Sequence, residues 1–330
     1  MGIYGGIIVS FLCAGVAAWV IARYGQYYKL VDYPSARSSH SQPVPKGGGS
    51  GIVLGFMTVA LLLGLKLLWW LPAVMIGLLG LVADRTEIAP RARLFLQLLL
   101  SLLFLYNFSA KPVNFTLTVL LAVFWSIYLV GTTNIYNFMD GINGIAAITG
   151  AIGFLLLGCF TQARSVNEKL PLLLFAVAAA CLGFLPFNFP RARVFMGDVG
   201  STFLGFFFAC TVMYLSRDLS DFFVLASFLF PFYADEMTTM FLRLKDREDL
   251  TQAHRRHLYQ ILANEGRLAH WQVTLFYGIG QLIVALTVLW LRNYGLITLV
   301  TVLFIFMGGF ATLSLLVRKK LNCPIPSPPI

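Results

Sequence analysis

Charge is what this sequence has least of. Only 12% of its 330 residues are Asp, Glu, Lys or Arg, where a soluble domain carries about 25%. With 58% hydrophobic residues and a mean hydropathy of +0.80, a soluble enzyme is excluded. The five cysteines, Cys13, Cys159, Cys181, Cys210 and Cys323, show no metal-ligand spacing, and four lie inside apolar runs as small hydrophobes. The four histidines are equally sparse: His254 and His257 share one motif, whereas His40 and His270 lie elsewhere, which disfavours a zinc centre. No internal repeat or low-complexity tract occurs, which argues against a repeat-built transporter. No basic leader precedes the first apolar run, so that run reads as an uncleaved helix rather than a signal peptide.

What abounds is apolar sequence. Runs able to cross a bilayer fall at about 3–22, 51–69, 71–83, 94–109, 115–135, 143–161, 170–187, 199–215, 221–238, 271–291 and 296–317. The expected fold class is therefore all-α: a polytopic integral membrane protein of about eleven transmembrane helices. Residues 1–320 form one domain, and the proline-rich tail 321–330 reads as disordered. If the N-terminus is outside, 18 of the 24 Lys and Arg residues fall on the opposite, cytoplasmic connections and the C-terminus. That asymmetry sets a periplasmic N-terminus and a cytoplasmic C-terminus. It also explains the net charge of +10 as a topology signal rather than a nucleic-acid surface.

Five polar connections break the apolar pattern, all on the expected cytoplasmic side. The central one, Thr132–Gly144, carries Asn134, Asn137, Asp140 and Asn143 between two spans. A carboxylate at mid-membrane costs about 2.5–3.5 kcal/mol, so Asp140 needs a polar purpose. Asn137, Asp140 and Asn143 recur at spacings of three to four and would share one face of a helix. Their readings are helix packing or ligand contact, and three amides with a carboxylate exceed what packing needs. In the first loop, Lys29, Arg37, His40 and Lys46 lead into Gly47-Gly48-Gly49 at a helix start, a weak anion-cradle pattern that is equally a flexible basic loop. Asp84 ends the third span before Arg85, Arg91 and Arg93, either as a base or phosphate-site carboxylate or as an interfacial ion-pair partner. Asp198, in Phe195-Met196-Gly197-Asp198-Val199-Gly200-Ser201, either caps its helix or binds a divalent cation together with substrate phosphates. His254-Arg255-Arg256-His257 is a dense set of anion donors suited to a diphosphate.

With those motifs in that order, from about Lys29 to Gly266, the chain resembles the polyprenyl-phosphate N-acetylhexosamine-1-phosphate transferases, the superfamily containing the peptidoglycan translocase MraY. The resemblance implies a bacterial inner-membrane enzyme whose active site faces the cytoplasm. Undecaprenyl phosphate would attack the β-phosphorus of a UDP-N-acetylhexosamine and release UMP. Mg²⁺, or Mn²⁺ in its place, would be the cofactor. By the matched motifs, Asp198 is the metal ligand and Asp84 meets the lipid phosphate. Asn137 and Asp140 line the nucleotide site, and His254 and His257 lie over the diphosphate. Lys46, Asn143, Arg255 and Arg256 complete the expected substrate contacts, and a homodimer is an open alternative. Two departures stand out. Ala83 occupies the first place of the family's usual Asp-Asp pair, and the histidine motif is closest to the O-antigen-initiating subset typified by WbpL, which uses 6-deoxy sugars such as FucNAc or QuiNAc. A transporter or lipid flippase coupled through Asp140 and Asp198, and an inactive relative, are the competing readings.

Overall fold

The computed structural model describes residues 3–34, 39, 42–86, 88–107, 114–165, 168–250, 252 and 254–321. Arg37, His40 and the tail from 322 onwards lie outside the described residues. Among the described residues the chain is helical apart from one two-stranded ribbon, β1 (Val31–Asp32) paired antiparallel with β2 (Val44–Pro45). The helices are α1 (Ile3–Tyr24), α2 (Ser50–Leu62), α3 (Leu67–Arg85), α4 (Pro90–Tyr106), α5 (Phe115–Phe138), α6 (Ile145–Ala163) and α7 (Lys169–Asn188). They continue with α8 (Gly197–Leu215), α9 (Leu219–Ala226), α10 (Phe230–Lys245), α11 (Leu258–Asn264), α12 (His270–Leu291) and α13 (Leu296–Lys320). Among the described residues, eight helices, α1, α3, α5, α6, α7, α8, α12 and α13, are long and apolar enough to cross a membrane. The other three expected spans correspond to shorter pieces: α2, α4, and the α9–α10 pair broken by a 3₁₀ turn at Ser227–Leu229.

One expected boundary moves. The apolar runs predict a break between the second and third spans at Trp70, but the chain turns earlier, at Leu63–Lys66, where Gly64 takes φ +60. Pro72 stays inside α3. Proline removes the amide that would bond the carbonyl four residues back, and that carbonyl, Leu68 O, instead accepts from Asn107 Nδ2 at 3.0 Å. A neighbouring side chain thus satisfies the freed group, as membrane-buried backbone requires.

Helix α8 is the axis of the bundle. Fifteen of its residues are buried, whereas α13 buries only Leu299 and Ser314. Phe203 and Phe207 stack on one side of α8 and receive Phe56 of α2 and Phe154 of α6. Close approach depends on small residues: a side chain at Gly80 would strike the Asp198 carbonyl, and one at Gly49 would lie 2.5 Å from the Gly200 Cα. These contacts seat the start of α8 against the start of α2 and the end of α3. The five polar connections accordingly meet at one end of the bundle.

Candidate active site

The site is built outward from the first turn of α8. Gly197 opens that helix at φ +76, and a side chain there would collide with Asp84 Oδ2. The absence of one lets the Asp84 carboxylate sit directly on the helix N-terminus. Its Oδ1 accepts from the Asp198 amide at 3.1 Å and its Oδ2 from the Val199 amide at 3.2 Å. Unpaired amides and the helix dipole favour a negative group there. Asp84 is 6% exposed, and Lys46 Nζ stands 4.0 Å from its Oδ1. The capping role weighed for Asp198 therefore falls to Asp84.

Asp198 is left free of that duty. Its Oδ2 accepts from Arg93 Nη1 of α4 at 2.7 Å, and Asn137 of α5 hydrogen-bonds its side chain. The Ser201 hydroxyl, one turn along α8, donates to Asn137 Oδ1 at 2.7 Å. Asp140, just past α5, is half-buried beside both carboxylates. Burial first, then the Asp198 and Asp84 charges, push its carboxyl well above the usual carboxylate range. Asp84, Asp140 and Asp198 thus converge from three connections, with Arg93 and Lys46 as their counter-charges.

The expected single polar face over Asn137, Asp140 and Asn143 does not form, because α5 ends at Phe138 and Gly144 takes φ +82 before α6. Asn143 turns away: its Nδ2 donates to the Pro190 carbonyl at 3.2 Å and its amide to His270 Nδ1 at 3.3 Å. It lines a separate polar cavity of about 210 Å³ with Gln42, Phe195 and His270. The Gly47–Gly49 run, read either as an anion cradle or as a flexible basic loop, has two of its amides otherwise engaged. The Gly48 and Gly49 amides donate to the Phe195 and Met196 carbonyls at 3.0 and 2.9 Å, so these glycines serve close packing.

The histidine motif approaches from the other side. Its anchor is Asp235 of α10, fully buried, which accepts from the Leu258 and Tyr259 amides at 2.8 and 3.2 Å and from the Tyr277 hydroxyl at 2.6 Å. Asp235 therefore caps α11. Tyr259 reaches across to donate to the Phe138 carbonyl at 2.9 Å, fastening the motif to the end of α5. The His254 and His257 rings lie 4.8 Å apart. Burial first, then His257, Arg243 and Arg256, lower the His254 pKa to about 3, and burial lowers that of His257 despite the nearby Asp235. Both are neutral at pH 7, and the Nδ1 of each is buried without a hydrogen-bond partner.

Arg255 and Arg256 are placed differently from the expectation that they face substrate. Arg255 pairs with Glu265 at 2.7 Å, and Arg256 with Asp246 at 2.6 Å and with Glu248. They tie the motif to its own loop. The pairings of Asp235, Arg93 and Tyr259 were not foreseen. Arg93 stood in the sequence only as one partner for Asp84, and nothing in the sequence singled out Asp235.

The donor set fits a magnesium ion. Among the described residues no three Asp, Glu, His or Cys side chains form a protein-only metal cage, which disfavours a closed structural site. Mg²⁺ is usually held by one or two carboxylates, waters and substrate phosphates, and Asp198 beside Asp140 supplies that chemistry.

The sequence model of glycosyl transferase family 4 matches residues 66–216, which include Asp84, Arg93, Asn137, Asp140 and Asp198. A probable undecaprenyl-phosphate N-acetylglucosaminyl 1-phosphate transferase of Bacillus subtilis is 26% identical over 338 residues, covering 95% of this chain and 92% of its own. An undecaprenyl-phosphate alpha-N-acetylglucosaminyl 1-phosphate transferase of Thermotoga maritima is 26% identical over 275 residues, covering 81% and 82%. A phospho-N-acetylmuramoyl-pentapeptide-transferase of Streptococcus pneumoniae is 30% identical over 235 residues, 65% of this chain and 72% of that protein. With its carboxylates gathered at the head of α8 and its length shared with these enzymes, the chain belongs to glycosyl transferase family 4, the polyprenyl-phosphate sugar-1-phosphate transferase superfamily that contains MraY and WecA.

Proposed function

We propose that this protein transfers an N-acetylhexosamine-1-phosphate from a UDP-sugar to undecaprenyl phosphate at the cytoplasmic face of the bacterial inner membrane. The observation that carries the reading is the convergence of Asp84, Asp140 and Asp198 with Arg93 and Lys46 at one end of an apolar bundle. The asymmetry of Lys and Arg along the chain supports a cytoplasmic location for that end.

In the reaction, an oxygen of the lipid phosphate bonds to the β-phosphorus of the donor. The bond from that phosphorus to the bridging oxygen breaks, and UMP leaves with the oxygen. A phosphate monoester has a second pKa of about 6, so the acceptor is already an anion at neutral pH and needs little help from a base. That suits a chain with Ala83 before Asp84 and no second acid at this position. Asp84 holds the head of α8 in register, and Lys46 offers a cation to a phosphate oxygen. Asp198, with Asp140 beside it, would hold Mg²⁺, which when bound neutralises diphosphate charge. Half-buried, neutral His254 would offer a hydrogen-bonding nitrogen to the diphosphate, with buried His257 packed 4.8 Å behind it, and Asn137 orients Asp198. Catalysis of this kind rests on positioning and electrostatics.

The form of the histidine motif favours a 6-deoxy sugar such as FucNAc or QuiNAc, and a role in initiating O-antigen or a related surface polysaccharide. Purified protein incubated with undecaprenyl phosphate, Mg²⁺ and a panel of UDP-sugars should release UMP with at least one of them. No release with any sugar would overturn the proposal.

A further inference from the structure

A lipid-facing feature lies beside the end of α3. An apolar groove of about 660 Å³ runs between α1, α2 and α3, walled by Val16, Val20, Leu54 and Leu81. Its depth from Cys13 to Ile21 along α1 is about 12 Å at 1.5 Å per residue. Its open end is polar, with Tyr28, Ser50 and Arg85 in the lining. Arg85 is exposed and makes no hydrogen bond or ion pair among the described residues. Trp19, Tyr24 and Tyr27 stand exposed at the same end of α1, and Arg23 lies over the Tyr24 ring. Aromatic and basic residues so clustered mark the membrane–water interface, so the mouth lies at headgroup depth.

We propose that this groove is a binding site for one acyl chain of an anionic phospholipid, whose phosphate is held by Arg85 with the Tyr28 and Ser50 hydroxyls beside it. An unpaired guanidinium at the mouth of an apolar channel complements a phosphate attached to a hydrocarbon tail. The polyprenyl acceptor is the less suitable occupant because of the helix face involved. Gly77, Gly80 and Asp84 of α3 face α8. Successive residues are about 100° apart around a helix of 3.6 residues per turn, so Arg85 stands about 100° round α3 from Asp84, on the flank of the α8 contact rather than within it. The groove is therefore a lipid site beside the active site, and its existence is independent of which sugar the protein uses.

Native mass spectrometry of the full-length protein tests this. The protein is equilibrated in detergent with palmitoyl-oleoyl phosphatidylglycerol, palmitoyl-oleoyl phosphatidylcholine or undecaprenyl phosphate. The wild type should retain one phosphatidylglycerol with about tenfold preference over phosphatidylcholine, the scale of one charge-assisted contact. Arg85→Gln should bring the two phospholipids to parity, Arg85→Lys should restore part of the preference, and Leu54→Trp should lose retention of both. Size-exclusion and melting profiles matching the wild type establish that the variants are folded, and Arg85→Gln, being exposed, serves if Leu54→Trp does not fold. Equal retention of both phospholipids by the wild type would overturn the proposal, as would unchanged preference in Arg85→Gln. Preferential retention of undecaprenyl phosphate that Arg85→Gln abolishes would assign the groove to the acceptor and overturn it too.

Discussion

At the head of α8, Asp84 is fixed by two backbone amides and Asp198 by the Arg93 guanidinium. In the histidine loop, His254 and His257 are held by what surrounds them, while the Nδ1 of each stays unpaired and buried. The first region is negative and set by helix-to-helix contacts too close to admit side chains. The second is held at its base by Asp235 and along its length by the Arg243, Arg255 and Arg256 ion pairs, and it presents neutral rings. On the proposed function, a cation and an anion would take different seats in the same mouth. The carboxylate region would take the metal, and the histidine region would offer the uncharged hydrogen bonding that a diphosphate can use without competing for the cation.

The sharpest way to break that division is Asp198→Asn. The side chain keeps its size and can still contact Arg93, so the bundle should insert and melt as the wild type does. Turnover, followed as UMP release against Mg²⁺ concentration, should fall by at least about a hundredfold, the scale of losing one group that organises transition-state charge. Wild-type activity at ordinary Mg²⁺ would remove Asp198 from the metal role.

Gly197→Ala attacks the same region through the backbone. The new methyl meets Asp84 Oδ2 in a conformation, φ +76, that side chains rarely adopt, at a cost of about 1–3 kcal/mol. A lower melting temperature together with reduced activity is expected. An unchanged melting temperature would show that the Asp84 seat is looser than the contact implies.

The histidine side can be sharpened by pH. His254 titrates at about 3 in the folded chain, against about 6.5 for an unperturbed histidine. Between those values the unfolded chain binds the extra proton, so stability is complete above about pH 6.5 and declines as pH falls toward 3. His254→Gln, which removes the titration but keeps a hydrogen-bonding amide, should flatten that acid decline in a melting series. It should retain more donor-sugar turnover than His254→Ala, whose loss should be about tenfold or more. Equal kinetics for Gln and Ala would deny the ring a hydrogen-bonding role.

Much of the fold was legible because membrane helices must be long and apolar, and because alternate connections share a side. Convergence of Asp84, Asn137, Asp140 and Asp198 followed from those two rules. What was not legible depends on atoms rather than pattern. Nothing in the spacing distinguishes an aspartate that caps its own helix from one that caps a neighbour's, so Asp84 and Asp198 exchanged that role. The triple glycine looked like an anion cradle because glycine allows close approach of any backbone, and here the approaching group is α8. Arginines in a motif carry no sign of their acidic partners, which for Arg256 lie 8 and 10 residues back.

Those partners give the next smaller prediction. Arg256 holds Asp246 and Glu248 with only 17% of its side chain exposed, while Arg255 and Glu265 are each about one-third exposed. Surface pairs contribute about 0–1 kcal/mol. Arg256→Ala should therefore raise KM for the UDP-sugar more than Arg255→Ala does, by loosening the loop rather than by losing a substrate contact. The reverse order in steady-state kinetics would return Arg255 to the substrate.

The smallest effect is expected at Ala83, where the resemblance leads one to expect an aspartate. An added carboxylate in Ala83→Asp would stand beside Asp84, in a mouth that already concentrates Asp140 and Asp198 against Arg93 and Lys46. Both oxygens of Asp84 are occupied by α8 amides, so the newcomer would have no helix end to neutralise it, and a like charge there is disfavoured. Since the acceptor phosphate is already anionic near neutral pH, a second acid adds little to its reactivity. UMP release by Ala83→Asp should stay within about tenfold of the wild type, little more than the gain or loss of one hydrogen bond. A rise from no detectable turnover to robust turnover would show instead that the natural chain lacks the base its chemistry requires.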